Sequence, residues 1–264
     1  NIGGVGTIIG TPPNAVAASV LAQQGTPISF FKWMLIGTPV AAIMLLVLWF
    51  LLLKVFSPKA EELSFHFGEE LQSTWDLLIV TITFCLTVGL WLTEPLHHIP
   101  SAVVALIPVM IFTMFGIIDR EDLRKIEWHV LIRVAGGMTL GVAMKSTGLS
   151  DLLVGQLAFL NVSSTLLLII IVLGAVVVSN FMSNTSAANL LIPIVTAIAG
   201  ISPLSGAVAV ALACSMAMSL PISTPPNAIA FATQEITTRD MARYGTIVSV
   251  FAVILLVGLV FLFL

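Results

Sequence analysis

Between residues 152 and 234 the chain contains no Asp, Glu, Lys or Arg, and this uncharged stretch limits the fold more than any other feature. Charged residues make up 9% of the whole chain and hydrophobic residues 58%, whereas soluble domains carry about a quarter charged residues. Three further uncharged segments, 33–53, 95–118 and 244–264, reach the roughly 20 residues that a helix needs to cross a bilayer. The sequence therefore predicts an all-α, polytopic protein with a multi-pass location in the cell membrane.

The same five residues, TPPNA, occur twice inside apolar sequence, at 11–15 and at 224–228. Proline has no backbone N–H and frees the carbonyl four residues before it, so each pair is expected to break a membrane helix. Freed carbonyls are tolerated in a membrane only where protein or a wet cavity surrounds them, and they are suitable ligands for a hard cation such as sodium. The preceding Thr11 or Thr224 is a natural N-cap. Each motif therefore starts a half-helix whose free N–H groups and positive dipole end attract an anion.

A third polar interruption, SNTSAAN at 183–189, divides an apolar stretch into two arms. Each arm has about 15 residues and is marginal for crossing a membrane. The pattern predicts a re-entrant hairpin over 162–199, with its tip halfway through the bilayer and with Ser183 and Asn184 capping the returning arm. Broken helices at matching positions of two halves are a pointer to the binding site of a transporter.

These features predict an inverted-repeat organisation. The end of a first repeat (1–56, a broken helix and one span) is joined by a cytoplasmic linker (57–75) to a second repeat (76–264). The second repeat comprises spans at 76–93, 99–118 and 128–144, the hairpin at 162–199, a broken helix at 203–233 and a final span at 244–264. Seven Lys and Arg residues lie on the linker side and two on the other, which places the linker side in the cytoplasm. The two half-helices then run in opposite directions.

Around these residues the sequence resembles the divalent-anion:sodium symporter (DASS) family, in the C-terminal part that includes the second inverted repeat. The family's signatures are similar to the segments FMSNTSAANLLIPI, SLPISTPPNAIAFAT and GGVGTIIGTPPNAV. The segment that leads into its second hairpin is similar to IEWHVLIRVAGGMTLGVAMKSTGL. The family has two SNT tips, and the first would lie before Asn1. Together with the absence of an initial Met, this predicts a fragment that lacks one hairpin and most of one sodium site.

The resemblance implies a sodium-coupled symporter, a homodimer with an elevator-like transport domain, that carries a divalent anion, either a di- or tricarboxylate or sulfate. It implies substrate contacts from the SNT residues and, opposite them, from the TPPNA residues: Ser183, Asn184, Thr185, Thr11, Pro12, Thr224 and Pro225. It also implies a sodium site made by Ser179, the Met182 carbonyl, Asn184 and Ser223, with Gly10 remaining from the other sodium site. Sodium is expected as the coupling ion, without another cofactor.

Other classes of protein are less compatible with the sequence. The chain has no basic patch for nucleic acid. An intramembrane enzyme would need a base near its nucleophile, and no His occurs in the uncharged stretch; the nearest is His129. A secondary transporter, not an enzyme, is therefore predicted. The alternatives left open are a sodium-independent anion exchanger or facilitator of the same fold and a fragment that does not transport.

Overall fold

The computed structural model describes residues 1–56, 74–126, 128–149, 152, 155–156, 162–234 and 236–263. The linker predicted at 57–75 lies outside these residues except for its last two. Contacts divide the chain into two compact units. The first comprises Asn1–Ile28, Trp33–Trp49 and His129–Leu264, and the second comprises Ser29–Lys32 and Phe50–Trp128.

All the regular elements of the described residues are helices. In chain order they are α1 (Pro12–Gln23), α2 (Phe30–Phe56), α3 (Thr74–Leu92), α4 (Glu94–His97), α5 (Ser101–Val104), α6 (Leu106–Met114), α7 (Arg120–Lys125), α8 (Trp128–Ser146), α9 (Ser164–Phe181), α10 (Asn184–Val195), α11 (Pro203–Ser215), α12 (Pro225–Ala232) and α13 (Thr238–Phe263), with 3-10 turns at Gly3–Gly6 and Pro221–Ser223. By length and composition, α2, α3, α9 and α13 can each cross a membrane. This architecture confirms the prediction of an all-α, polytopic membrane protein.

Helix α11 forms the centre of the first unit. Its residues from Gly206 to Ser215 are all buried, as is typical of a helix that is apolar on every face. Helices α1, α9, α10 and α13 all pack against it. The end of α11 at Ser215 is therefore enclosed by other helices at the point where the chain stops being helical.

Glycines bring α8 close to the second arm of the predicted hairpin. A side chain at Gly137 would overlap the amide of Asn189 in α10, and one at Gly141 would touch the ring of Pro193. The two glycines are four residues apart, as are Asn189 and Pro193, so both contacts lie along one face of each helix. Gly137 and Gly141 thus allow the close packing that small residues give to membrane helices.

The second unit differs from prediction in the span expected at 99–118. The structure has two helices there, α5 and α6, separated at Ala105. Pro108 has no N–H to bond the carbonyl of Val104, which accounts for the interruption. Within this unit the ring of Phe30 stacks on Trp91 at 4.7 Å, and the Phe30 N–H donates to the Glu94 carboxylate at 2.9 Å.

Two segments that lie between the predicted helices are themselves helical because their ends are capped. Asp119 and Asp122 form a capping box at the start of α7. The hydrogen bond from Lys125 and the one from the Asp119 backbone lower the pKa of Asp122. The last helix, α13, begins at Thr238 rather than near Tyr244, because the Thr237 hydroxyl accepts the Asp240 N–H at 3.1 Å.

Candidate functional site

The break at the second TPPNA is longer than its two prolines require. Helix α11 ends at Ser215 and α12 begins at Pro225, with the 3-10 turn Pro221–Ser223 between them. Pro221 removes a third N–H, which prevents a helical bond to Ala217. Three prolines within six residues therefore keep the whole segment 216–224 out of the α-helix.

Both TPPNA threonines adopt the N-cap conformation predicted for them. The φ and ψ angles are −141° and 148° at Thr11 and −145° and 152° at Thr224. In each motif the asparagine donates to the carbonyl seven residues before it: Asn14 to Thr7 at 2.7 Å and Asn227 to Leu220 at 3.1 Å. The five shared residues thus give the same backbone conformation twice, although only Thr224 caps its helix through its side chain.

The prediction of free N–H groups at these two helix starts is wrong. The prolines supply none, and the next N–H groups are already bonded. Those of Asn14 and Ala15 donate to the Thr11 carbonyl at 3.1 and 3.4 Å. That of Asn227 donates to the Thr224 hydroxyl at 3.3 Å. An anion at either start would meet a hydroxyl and the helix dipole, but not a row of backbone donors.

The SNT segment forms the tip between α9 and α10. Ser183 is the N-cap of α10, and its hydroxyl accepts the Ser186 N–H at 3.2 Å. Within the described part of the chain, no acceptor is bonded to the N–H groups of Asn184 or Thr185. The free backbone donors of the site therefore come from the SNT tip. Helix α9, the first arm of the predicted hairpin, has 18 residues rather than about 15. The re-entrant course of the hairpin stays a prediction.

A chain of hydrogen bonds joins this tip to the first TPPNA motif. The buried Ser179 hydroxyl lies 2.7 Å from Asn184 Oδ1 and 3.0 Å from the Cys214 carbonyl oxygen. The adjacent Ser215 hydroxyl lies 2.9 Å from that of Thr11. The hairpin tip, the end of α11 and the first motif therefore meet at Cys214 and Ser215.

A second network surrounds the other motif. Asn227 Nδ2 donates to the Ser223 hydroxyl at 3.0 Å, and Ser223 donates to the Leu220 carbonyl at 2.8 Å. The Asn1 amide nitrogen donates to the Thr224 hydroxyl at 2.8 Å and to Asn227 Oδ1 at 2.9 Å. Ser223, Thr224 and Asn227 are all buried. This network connects the second break to the segment that precedes the first.

The hydroxyl groups of these networks are used in two opposite ways. A serine or threonine hydroxyl has one proton to donate and two lone pairs to accept with. Ser179 and Ser223 have committed their protons and retain lone pairs, which suit a cation. Thr224 accepts two N–H groups and retains its proton, which suits an anion. The site can thus distinguish the two charges although its side chains are uncharged.

The remaining predicted residues lie at the same breaks. Met182 is the C-cap of α9, and its carbonyl oxygen accepts no hydrogen bond from any described residue. Pro12 and Pro225 are the first residues of α1 and α12. The backbone of Gly10 packs against that of Gly4 so closely that neither position has room for a side chain. That these residues bind substrate or sodium stays a prediction.

Asn1 and Ser215 are not identifiable as site residues from the sequence alone. No motif marks Ser215, since it lies nine residues before Thr224 in a plain apolar helix. Asn227, in contrast, is identifiable from the sequence, because it is the fourth residue of the second TPPNA motif. Two cavities of the first unit, of about 820 and 470 Å³, are lined by none of the predicted site residues. The smaller one borders the site through Asn180 and Ser219, whose amide oxygen and N–H are bonded at 2.8 Å.

Comparison with known proteins agrees with this architecture. The profile of the family described as "Sodium:sulfate symporter transmembrane region" matches residues 1–263. An "Uncharacterized transporter MJ0672" of Methanocaldococcus jannaschii is 31% identical over 279 residues, covering 99% of this chain and 62% of that protein. The "Sodium-dependent dicarboxylate transporter SdcS" of Staphylococcus saprophyticus is 30% identical over 291 residues, and that of Staphylococcus aureus strain MW2 is 31% identical over 290 residues. Each of these two matches covers 98% of this chain and 56% of the relative.

Membrane helices broken at polar, hydrogen-bonded segments are typical of transporters, and these relatives have the names of transporters rather than enzymes. The chain belongs to the sodium:sulfate symporter family, the divalent-anion:sodium symporters that the sequence resembles. It is a multi-pass protein of the cell membrane. The chain spans about 60% of the length of the curated relatives it matches.

Proposed function

We propose that the protein is a secondary active transporter that moves a divalent anion, a di- or tricarboxylate or sulfate, across the cell membrane together with sodium. The observation that carries the proposal is that Ser179 and Ser223 have donated their hydroxyl protons, whereas Thr224 accepts two N–H groups and keeps its own proton. Ser179 and Ser223 offer lone pairs, whereas Thr224 offers a proton. The names of the Staphylococcus relatives, sodium-dependent dicarboxylate transporters, support the same function.

The cation site consists of neutral oxygens. Asn184 Oδ1 accepts one hydrogen bond, from Ser179, and keeps a second lone pair, as the hydroxyls of Ser179 and Ser223 do. The Met182 carbonyl adds a backbone oxygen at the same tip. Divalent cations usually take carboxylate ligands, and the predicted ligand set has none, so it suits a monovalent hard cation such as sodium.

The anion site is formed by donors and helix dipoles. The free N–H groups of Asn184 and Thr185 lie at the start of α10, where the helix carries roughly half a positive charge. The hydroxyls of Thr11 and Thr224 lie at the starts of α1 and α12. A buried anion surrounded by such groups needs no Lys or Arg partner.

Asn184 belongs to both sites and would couple them. Its Oδ1 is hydrogen-bonded to Ser179, which is another of the proposed sodium ligands. Its backbone N–H has no bonded acceptor among the described residues and would bind the anion. Asn184→Ala is expected to raise the half-saturation concentration of both sodium and substrate about tenfold, the loss of one strong hydrogen bond or cation ligand. Uptake measured against each solute in turn checks this. Unchanged values for both would contradict the shared role.

The direct test is uptake of radiolabelled succinate and sulfate by the full-length protein in proteoliposomes. An inward sodium gradient is expected to drive accumulation of at least one of them, and an equal potassium gradient is not. Accumulation that is independent of sodium would instead indicate an anion exchanger or facilitator. No uptake of either anion would contradict the proposal. Ser249→Ala is a suitable control, because its hydroxyl bonds the Met216 carbonyl at 2.9 Å outside the proposed site.

The inverted-repeat organisation is proposed together with this function. With the cytoplasmic side assigned from Lys and Arg residues, a cysteine at Thr238 would be labelled from the cytoplasm only and one at Thr26 from outside only. Both positions are exposed. Impermeant maleimide labelling of intact cells tests this in a Cys85→Ala background, since Cys85 is exposed and Cys214 is buried. Labelling of both from one side would refute the inversion.

A further inference from the structure

Each TPPNA threonine is hydrogen-bonded by a residue that belongs to the other repeat. The Thr11 hydroxyl lies 2.9 Å from that of Ser215, which ends α11. The Thr224 hydroxyl accepts from the amide of Asn1, in the segment before the first motif, at 2.8 Å. The two bonds cross between the repeats in a nearly reciprocal way, as contacts across a two-fold axis do.

The hydrogen bonds at Thr224 leave its hydroxyl able to act only as a donor. Asn1 Nδ2 has two protons and places one on Thr224 and the other on Asn227 Oδ1. The Asn227 N–H also points at Thr224, at 3.3 Å. Two donors therefore occupy the lone pairs of Thr224 Oγ1, and only its O–H remains. Among the residues that the structure describes, no acceptor is bonded to this O–H.

The pair formed by Thr11 and Ser215 has the same surplus. Two hydroxyls carry two protons, and their mutual bond uses one. The second proton has no bonded acceptor in the described ranges of the chain. Thr11 is 8% exposed and Ser215 is 1% exposed, so water has little access to either. Buried donors are almost always paired, and a ligand that brings acceptors would complete both threonines.

We propose that Ser215 and Asn1 are positioning residues that hold Thr11 and Thr224 as hydrogen-bond donors toward the transported anion. The inference rests on the proposed function and deepens it. Because the lone pairs of Thr224 are taken, its hydroxyl offers a proton and no acceptor. It therefore accepts an ionised oxyanion and disfavours an oxygen that carries its own proton. Selectivity for anions would arise from bonds between the repeats rather than from a charged side chain.

The test measures the KM for succinate, or for sulfate if the wild type carries only sulfate, in the full-length protein at saturating sodium. Ser215→Ala leaves Thr11 free to turn toward its own helix. It is expected to raise KM about tenfold, as for a lost hydrogen bond to a charged group, while the sodium half-saturation and kcat change little. Thr11→Val is expected to have the same effect. Thr11→Ser keeps the hydroxyl and is expected to have the wild-type KM.

The double variant Thr11→Val with Ser215→Ala separates positioning from a general structural effect. If Ser215 acts through Thr11, the double variant has the KM of either single variant rather than the product of both effects. The control Ser249→Ala removes another buried serine beside the same break and is expected to leave KM unchanged. If Ser215→Ala does not fold, Asn1→Leu tests the corresponding bond to Thr224 with the same expected rise in KM.

The outcomes separate the inference from the function on which it rests. A wild type that takes up neither succinate nor sulfate would overturn the proposed function and the inference with it. A wild type with sodium-driven uptake, together with an unchanged KM in Ser215→Ala, would overturn the inference alone. Additive effects in the double variant would do the same, since they would show that Ser215 does not act through Thr11.

Discussion

The two TPPNA motifs begin their helices in the same way but lie in different surroundings. Helix α1 is part of the core, where Ala17 and Leu21 are fully buried. Helix α12 is shorter, and Ile229 at its centre is 71% exposed within the chain. The N-cap angles agree within a few degrees all the same. The five letters thus determine the start of the helix, and the rest of the fold determines its environment.

The residues before each motif make the chemical difference. Ser223, which precedes Thr224, contributes a hydroxyl with free lone pairs, whereas the corresponding Gly10 contributes only its backbone. Asn227 uses its amide oxygen as well as its nitrogen, whereas the oxygen of Asn14 has no partner among the described residues. The two copies of one sequence motif are thus preceded by different groups, a side-chain hydroxyl at Ser223 and backbone alone at Gly10.

Exchanging Gly10 and Ser223 tests this difference most severely. A side chain at Gly10 would overlap the carbonyl of Gly4, so Gly10→Ser is expected to lower stability by about 3 kcal/mol and to abolish uptake. Ser223→Gly removes a proposed sodium ligand without a clash. It is expected to leave the fold intact and to raise the sodium half-saturation about tenfold. Thermal unfolding in detergent and sodium-dependent uptake measure the two effects.

The exchange has a matched control in Gly3, which has open space around its Cβ position. Gly3→Ser is expected to have far less effect than Gly10→Ser on both stability and uptake. If Gly10→Ser folds and transports normally, the two breaks do not differ in the way the contacts indicate. If Ser223→Gly keeps the wild-type affinity for sodium, Ser223 is not a ligand.

The proline pairs are expected to differ in importance. Alanine favours a continuous helix by about 3 kcal/mol over each proline. In the second break Pro221 still prevents a helical bond back to Ala217, so Pro225→Ala with Pro226→Ala should leave the part of the break before Pro221 open. In the first break no other proline precedes Thr11. Pro12→Ala with Pro13→Ala would supply N–H groups to the carbonyls of Ile8 and Ile9 and favour closing it. Uptake is expected to fall more for the first pair than for the second.

Protection of a thiol from alkylation by added sodium tests whether the second break stays open in the proline variant. The variant is Pro225→Ala with Pro226→Ala, and it also carries Ser223→Cys as a probe. The rate at which this cysteine is alkylated is measured with and without sodium. Retained protection agrees with an open break. Equal loss of transport from both proline pairs would show that the prolines act in the same way in the two motifs, and that Pro221 is not sufficient to keep the second break open.

Much of this arrangement is predictable from sequence because it depends on local chemistry. The uncharged stretches identify membrane helices, prolines identify breaks, and Thr11, Ser183 and Thr224 occupy the N-caps expected of them. The elements that differ from prediction each contain a second local signal. Pro221 lengthens the second break, Pro108 divides the span at 99–118, and Thr237 with Asp240 starts α13 early.

The contacts that join the two TPPNA regions across the sequence are not predictable in this way. Thr11 and Ser215 are 204 positions apart, and Asn1 and Thr224 are 223 apart. Serine and asparagine are common beside polar segments, so their types alone do not reveal such partners. The hydrogen bonds of the first N–H groups in α1 and α12 are not predictable either. The prolines show which N–H groups are absent, but not which acceptors the next N–H groups bind. Only packing shows that Thr11 turns away from its own helix.

The smallest expected effect concerns the caps themselves. Asn14 and Asn227 carry the first amide protons of α1 and α12, since prolines occupy the two positions before them. The Asn227 N–H donates to the Thr224 side chain, so Thr224→Val removes its acceptor at a cost of about 1 kcal/mol. The Asn14 N–H donates to the Thr11 backbone carbonyl, which Thr11→Val retains. Amide hydrogen exchange at the helix starts is therefore expected to accelerate roughly fivefold at Asn227 in Thr224→Val and to stay unchanged at Asn14 in Thr11→Val. Equal acceleration at both positions would mean that Thr11 caps its own helix in the membrane, and that its bond to Ser215 is not the one it keeps.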